Sequence, residues 1–281
     1  MRKKRVIVIL LLALALVVGW VFWGNRALEL HSYTVETQKL PESFHGFRIV
    51  QVSDLHNAQF GVENETLLKL VEEAKPDLIA ITGDLIDSRK TKIDVALQFV
   101  EKAIQIAPCY YVTGNHEARI QEYPRMKQAL LELGVVVLDN ESVELKKKDE
   151  KILLVGVDDP SFQTDYLFGD AEAVMQTRLT ELAVKKNMFT LLLSHRPELF
   201  DCYVKHSVDL ILAGHAHGGQ FRLPWIGGVV APNQGIFPQY DAGQFEKDDT
   251  TMIVSRGIGN SIVPFRINNR PEVVLIELRR N

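Results

Sequence analysis

The chain has 281 residues and a formal net charge of −4, long enough for one large α/β domain or two small ones, each with its own core. The charge is unevenly placed: residues 1–26 hold five basic groups (Arg2, Lys3, Lys4, Arg5, Arg26) and no acid, which leaves 27 basic against 36 acidic groups, a net −9, over residues 27–281. A segment this acidic lacks the positive face of a general nucleic-acid binder.

Residues 6–24 (VIVILLLALALVVGWVFWG) carry no charge. As a helix they would span about 28 Å, close to the hydrocarbon thickness of a bilayer. Arg2, Lys3, Lys4 and Arg5 precede the run, and Trp20 and Trp23 lie at its far end, where aromatic belts form. This pattern predicts an uncleaved anchor over residues 1–26, with a cytoplasmic N-terminus and the rest of the chain outside the cell membrane. A cleaved signal peptide fits less well, because the small pair Ala13 and Ala15 lies inside the apolar run. Residues 27–46 read as a linker. Within it, the alternation of YTVETQKLP (33–41) predicts an edge strand halted by Pro41. Residues 47–281 read as one domain.

From residue 48 one pattern recurs: a short apolar run, followed at once by Asp, Asn or His. It appears as RIVQVSDLH (48–56), LIAITGDLID (78–87), YYVTGNHE (110–117), TLLLSHRPE (190–198) and DLILAGHAHGG (209–219). Each run reads as a strand buried on both faces, and each polar cluster falls at the carboxyl end, where open α/β sheets place ligands. Helices are expected over 65–75 (capped by Asn64, ended by Pro76), about 93–106, 122–133 (stopped by Gly134) and 170–186. Between 135 and 159, VVVLDN, SVELKKK and KILLVGVDD read as strands in antiparallel pairing, with Lys146–Lys147–Lys148 at a solvated hairpin tip. Residues 218–250 are too rich in Gly and Pro for regular elements and too aromatic for disorder. Two more strands close the chain, over 251–259 and 271–280. Cys109 and Cys202 match no zinc-thiolate spacing and read as buried free thiols.

The clusters have the chemistry of metal ligands. Asp54 and His56 share one turn, so both reach one ion. Asp84 has two oxygens with which to bridge two ions. Asn115 offers an amide oxygen, and His195, His215 and His217 offer imidazole nitrogens. Seven side chains with one shared suit a two-metal site. A mixed nitrogen and oxygen set without thiolate fits Mn²⁺, Fe or Zn²⁺ better than Ca²⁺ or Mg²⁺. Gly83, Gly114 and Gly214 each precede a ligand, as expected where a strand turns sharply. One Asp-x-His, or His195 alone, is more simply structural; five such clusters in this order are not. His31, His45 and His206 read as surface or locally satisfied side chains.

Asp54-x-His56, Gly83-Asp84, Gly114-Asn115-His116-Glu117, Ser194-His195 and Gly214-His215-Ala216-His217 together resemble the five-block signature of calcineurin-like metallophosphoesterases. The apolar N-terminus and the stretches GGQFRLP (218–224) and SRGIGNSIVPFRINNRPE (255–272) resemble the membrane-anchored bacterial branch of that family. The resemblance implies a four-layer α/β/β/α sandwich with a dimetal site at its strand ends. It implies one metal on Asp54, His56, Asp84 and His217, and another on Asp84, Asn115, His195 and His215. His116 would face the scissile phosphate, so that Asp84, Asn115 and His116 form the catalytic centre. The implied activity is hydrolysis of a phosphodiester or pyrophosphate by a metal-bridging hydroxide, with His116 stabilising charge and protonating the leaving group. Ser194 stands where many relatives have glycine. Arg222, Arg256 and Arg266 lie in the shared stretches and are candidates to bind substrate phosphate, set against a surface role for each. Trp225, Ile226, Phe237 and Tyr240 are candidates for a membrane-facing lip, set against packing over the sheet edge. The expected partner is a phosphoester substrate, lipid-linked or from the cell envelope. Other readings are a lipid-linked nucleotide-sugar pyrophosphatase resembling UDP-2,3-diacylglucosamine hydrolase, a scaffold without activity, and a nuclease, which the acidic domain disfavours.

Overall fold

The computed structural model describes residues 2–163, 170–182, 187–260 and 263–281. The N-terminal apolar run forms helix α1 (Arg2–Gly24), whose span Lys3–Gly24 is long and apolar enough to cross a membrane and is buried nowhere against the rest of the chain. The first half of the domain then runs β1 (Glu29–Glu36), β2 (Phe47–Val52), α2 (Glu65–Glu73), β3 (Leu78–Thr82), α3 (Ile93–Ala103), β4 (Cys109–Val112), α4 (Tyr123–Glu132) and β5 (Val136–Val137). The second half runs β6 (Glu141–Lys147), β7 (Glu150–Gly156), α5 (Ala171–Glu181), β8 (Thr190–Leu193), α6 (Phe200–Lys205) and β9 (Leu210–Ala213). Two short ribbons follow, β10 (Arg222–Leu223) with β11 (Gly227–Gly228), and β12 (Val230–Ala231) with β13 (Gly235–Ile236). The chain closes with β14 (Gly243–Lys247), β15 (Thr250–Val254) and β16 (Glu272–Arg279).

Two six-stranded sheets carry the domain, in the orders β1-β16-β2-β3-β4-β5 and β14-β15-β9-β8-β7-β6. Alternation along each strand makes the layers. In β3, Leu78 and Ala80 face the second sheet, while Ile79 and Ile81 face α2, α3 and α4. In β8 and β9, Leu191, Leu193, Leu210 and Leu212 fill the space between the sheets; Leu192 and Ile211 meet α5 and α6. Three apolar cores thus separate four layers, α/β/β/α. Each fully buried leucine contributes roughly 1.5–3 kcal/mol relative to exposure.

Several local expectations are corrected. Val136 and Val137 do not pair with the next strand but lie parallel to β4 at the edge of the first sheet, after which the chain crosses to the second sheet. The run is too short for its pattern to name a partner. The antiparallel hairpin is β6 with β7 alone. Lys146 and Lys147 belong to β6 itself, with the Lys147 ammonium over the Phe47 ring at 5.2 Å, and only Lys148 occupies the turn. Asn64 precedes α2 but does not cap it; its side chain accepts the Phe60 N–H instead. Helix α5 starts after the capping Asp170, and residues 183–186 of the expected helix lie outside the described residues. Cys109 and Cys202 are both buried and free, in different cores.

Candidate metal centre

The five polar clusters stand at the carboxyl ends of β2, β3, β4, β8 and β9. In four of them the first donor is the second residue past the strand: Asp54, Asp84, His195 and His215. Strands β2, β3 and β4 are neighbours in one sheet, as β8 and β9 are in the other, so the donors meet where the two sheets face. Buried Gln51 pins that meeting, donating to Thr82 Oγ1 (3.0 Å) and to the Ala213 carbonyl (2.8 Å) of the opposite sheet. The His195 ring closes it from the other side, with Nδ1 2.7 Å from the Thr82 carbonyl.

The candidate ligand residues themselves make the sharp turns. Asp54, His56, Asp84, His215 and His217 have φ of 52°, 46°, 53°, 66° and 48°, a left-handed conformation that costs a residue with a Cβ roughly 1–2 kcal/mol. Of the three preceding glycines, only Gly83 shares it, at +88°. Gly114 and Gly214 serve another need, correcting the expectation drawn from turns. A Cβ on Gly114 would stand 2.2 Å from Asp84 Oδ1, and one on Gly214 would stand 1.9 Å from Ser53 Oγ and 2.4 Å from Asp54 Oδ2. These glycines let neighbouring loops touch.

Asp84 sits at the centre. Its Oδ2 lies 3.2 Å from His195 Nε2 and 3.5 Å from His56 Nε2. To one side, Asp54, His56 and His217 bring donor atoms within 4.8 Å of one another; to the other, Asp84, His195 and His215 do the same. Asn115 Oδ1 is buried without a hydrogen-bond partner. His56 Nε2 is 3.1 Å from His217 Nε2, and His195 Nε2 is 3.2 Å from His215 Nδ1. Imidazole nitrogens and carboxylate oxygens converging this closely, with an orphaned amide oxygen beside them, are a donor set fitted to divalent cations.

The crowding of these groups shifts their protonation. Burial acts to raise the Asp84 pKa, but His195 and His56 outweigh it and hold the carboxyl well below its usual range. Burial likewise opposes the charge on His195, but Asp84, Asp54 and Asp159 push that ring up to about 10.

His116 is built differently. Its Nδ1 accepts the Ser88 N–H at 3.0 Å, which leaves the proton of the neutral ring on Nε2. Burial, ahead of the opposing Asp84 charge, pulls its pKa down to about 4. The ring therefore presents a neutral N–H donor next to Asp84 Oδ2, 4.0 Å away.

The supports lie outside the residues that the sequence pattern singles out as donors. Glu117 is fully buried, and its carboxylate accepts the backbone N–H of Gly114 (2.8 Å) and Asp84 (3.0 Å), joining the loops after β3 and β4. Arg196 reaches Asp159 with two donors, one at 2.8 Å, and sets Nη1 3.1 Å from His215 Nε2. Asn233 lies 2.9 Å from the same His215 nitrogen, in the turn between β12 and β13, so the 218–250 stretch, expected to hold no regular elements, instead carries short strands that bring a side chain to the site. Glu117 and Arg196 each follow a ligand or His116 directly in sequence, which was the available signal; Ser88 and Asn233 carried none.

The three arginines fall in different places. Arg222 pairs with Asp241 at 2.8 Å. Arg256 lies between Glu29 and Glu272. Arg266 is buried, with Nη2 3.3 Å from His217 Nδ1. Of the four candidate lip residues, Tyr240 does pack over the sheet edge, against Phe200 and Phe245, whereas Trp225, Ile226 and Phe237 are exposed.

A family profile described as calcineurin-like phosphoesterase matches residues 47–219. The uncharacterized metallophosphoesterase YkuE of Bacillus subtilis (strain 168) is 30% identical over 275 residues, covering 94% of this chain and 92% of that one. The phosphodiesterase YaeI of Escherichia coli (strain K12) is 28% identical over 242 residues, covering 83% of this chain and 82% of its own length. Among solved structures, TT1561 of Thermus thermophilus superposes with a TM-score of 0.53 at 17% identity, over 76% of this chain and 90% of that one, a likeness of fold.

Proposed function

The chain belongs to the calcineurin-like phosphoesterase family, and from that premise we propose that it hydrolyses a phosphodiester at a membrane surface. It is a metal-dependent phosphoric ester hydrolase with a dinuclear divalent metal centre. In our reading Asp54, His56, Asp84 and His217 hold one cation, and Asp84, Asn115, His195 and His215 hold the other. Two such ions supply Lewis acidity to the phosphoryl oxygens and activate water at neutral pH. The chain supplies the rest. His116, fixed by Ser88 with its proton on Nε2, donates to a phosphoryl oxygen and then to the departing oxygen. Arg196 and Glu117 hold the ligand loops in register. Arg266 positions His217 and stands behind it, not at the substrate. Arg222 and Arg256 are committed to carboxylates, so we assign them no phosphate.

We read Lys3–Gly24 as a single membrane span, with the basic N-terminal flank in the cytoplasm and the domain outside. The YaeI name favours a diester over a monoester. The complete, converging donor set argues against the scaffold reading, since a scaffold has no need of it.

The observation that carries the proposal is Asp84 Oδ2 standing between the two donor groups. The test is a matrix of Mn²⁺, Fe²⁺, Zn²⁺ and Mg²⁺ against bis-p-nitrophenyl phosphate, p-nitrophenyl phosphate and a lipid pyrophosphate, using the full chain. Turnover of the diester with Mn²⁺, Fe²⁺ or Zn²⁺ is expected. Asp84→Ala should lower it roughly 10³-fold, the equivalent of several kcal/mol, and lose bound metal. Full activity with unchanged metal content in that variant would sink the dimetal reading.

A further inference from the structure

The metal centre and the membrane helix share one short segment of chain. At the end of α1, the Asn25 amide donates to the Arg266 carbonyl (2.9 Å) and accepts the Arg266 N–H (2.7 Å). The Arg270 guanidinium stacks over the Trp23 ring at 4.8 Å and donates to the Ala27 and Leu28 carbonyls. A cavity of about 150 Å³ is lined by Trp20 and Trp23 on the helix side, and by Arg256, Asn268 and Asn269 on the domain side. Residues 266–270 thus lie alongside the last turn of the helix, and Trp20 stands about 6 Å along the axis from Gly24. That turn carries the aromatics expected at a bilayer interface. The other side of the same segment supports the site, through Arg266 against His217.

The segment exposes apolar side chains outward. Phe265 and Ile267 flank Arg266, both on the surface. Phe221 bridges to Ile267, and the Arg222 N–H donates to its carbonyl. This brings in the β10–β11 hairpin, which exposes Leu223 and Ile226 and leaves Trp225 wholly in solvent. The Asn25 hydrogen bonds tie Arg266, between Phe265 and Ile267, to the end of α1, and the Ile267 carbonyl ties the hairpin to the same segment. A contiguous apolar rim continuous with a membrane anchor matches a lipid surface.

We propose that the rim of Trp225, Ile226, Phe265 and Ile267 seats in the interfacial layer of the bilayer that α1 spans, so that the site takes phosphodiesters whose other arm is a lipid of that leaflet. This rests on the phosphoesterase reading. Hydrolysis adds water across one P–O bond, giving a phosphomonoester and an alcohol, one of which keeps the lipid.

The test reconstitutes the full chain in phosphatidylcholine–phosphatidylglycerol vesicles. Cys109 and Cys202 are buried, so Trp225→Cys can be labelled with an environment-sensitive fluorophore. Asp149→Cys, in the β6–β7 turn at the opposite end of the strands, serves as control. Quenching by spin-labelled lipid at position 225 and not at 149 is expected. With Mn²⁺, the double variant Trp225→Asp, Ile226→Asp should lower the ratio of fluorescent phosphatidylglycerol turnover to bis-p-nitrophenyl phosphate turnover about tenfold. Equal quenching at both positions, or an unchanged ratio, overturns the proposal. Absence of turnover on the soluble ester refutes the phosphoesterase reading, and the quenching alone then decides the docking.

Discussion

Asp84 Oδ1 accepts the backbone N–H of His116 at 2.8 Å, which turns Oδ2 toward His56 and His195. The main chain of His116 thereby steadies the shared carboxylate, while its ring is held independently by Ser88. His116→Ala keeps the first role and deletes the second. We expect kcat to fall roughly 10²–10³-fold, as for loss of one donor to a charged transition state, with two metals still bound. Steady-state kinetics alongside metal analysis checks this; loss of metal in step with activity would make His116 a ligand.

Gly214→Ala tests the close packing of loops. Its methyl would stand 1.9 Å from Ser53 Oγ, whose hydroxyl donates to Asp54. Overpacking of this kind costs roughly 1–3 kcal/mol, and displacing a group that orients a ligand lowers metal affinity about 10–100-fold. A denaturation midpoint and a metal titration that both match the unmodified chain would contradict it.

The buried Asp159–Arg196 pair gives an acid-dependent contribution to stability. Burial raises the Asp159 pKa, but Arg196 outweighs it and holds the carboxyl at about 2, below its ordinary 3.8. A depressed carboxylate stabilises the fold fully above its ordinary pKa and ceases to as pH falls through the folded value. Asp159→Asn should therefore destabilise the chain by about 3 kcal/mol at pH 7, and the gap to the unmodified protein should close between about pH 4 and 2. Urea midpoints across that range measure it.

Metal uptake should release protons. In the metal-free chain His195 is pushed up to about 10 by Asp84, Asp54 and Asp159 against the effect of burial, and Nδ1 is already engaged with Thr82. The ring is charged at pH 8, and a cation needs its Nε2 lone pair. Calorimetry at pH 8 should therefore give heats that vary with the ionisation enthalpy of the buffer, and affinity that climbs with pH toward about 10. The raised pKa also means that this imidazolium stabilises the metal-free fold below its ordinary 6.5 and stops doing so as pH rises through about 10. Identical heats in all buffers would exclude a protonated His195.

Much of the fold was legible because its signals are local. A run such as LIAIT ending in Gly83-Asp84 states both a buried strand and the chemistry at its tip. Fold and family follow from five such runs, which also supply the candidate donors. What escaped depends on which loops meet. Ser88 became a partner of His116 only once two strand ends lay side by side. Val136–Val137 gave no hint that the chain leaves one sheet there for the other. Gly114 and Gly214 announced a turn, but the positive-φ turns fall on the candidate ligands, and the glycines make room. Arg266, flanked by Phe265 and Ile267, gave no sign of its burial behind His217.

Strand β16 lies between β1 and β2, parallel to the first and antiparallel to the second. A strand from late in the sequence thus supplies the neighbour of one that directly follows the apolar helix. Without β16, β1 would stand unpaired in its sheet, and β2, which carries Asp54 and His56 just past its tip, would have an open edge. The sheet that presents the first candidate ligands is therefore stitched to the apolar helix through a segment far from both in sequence.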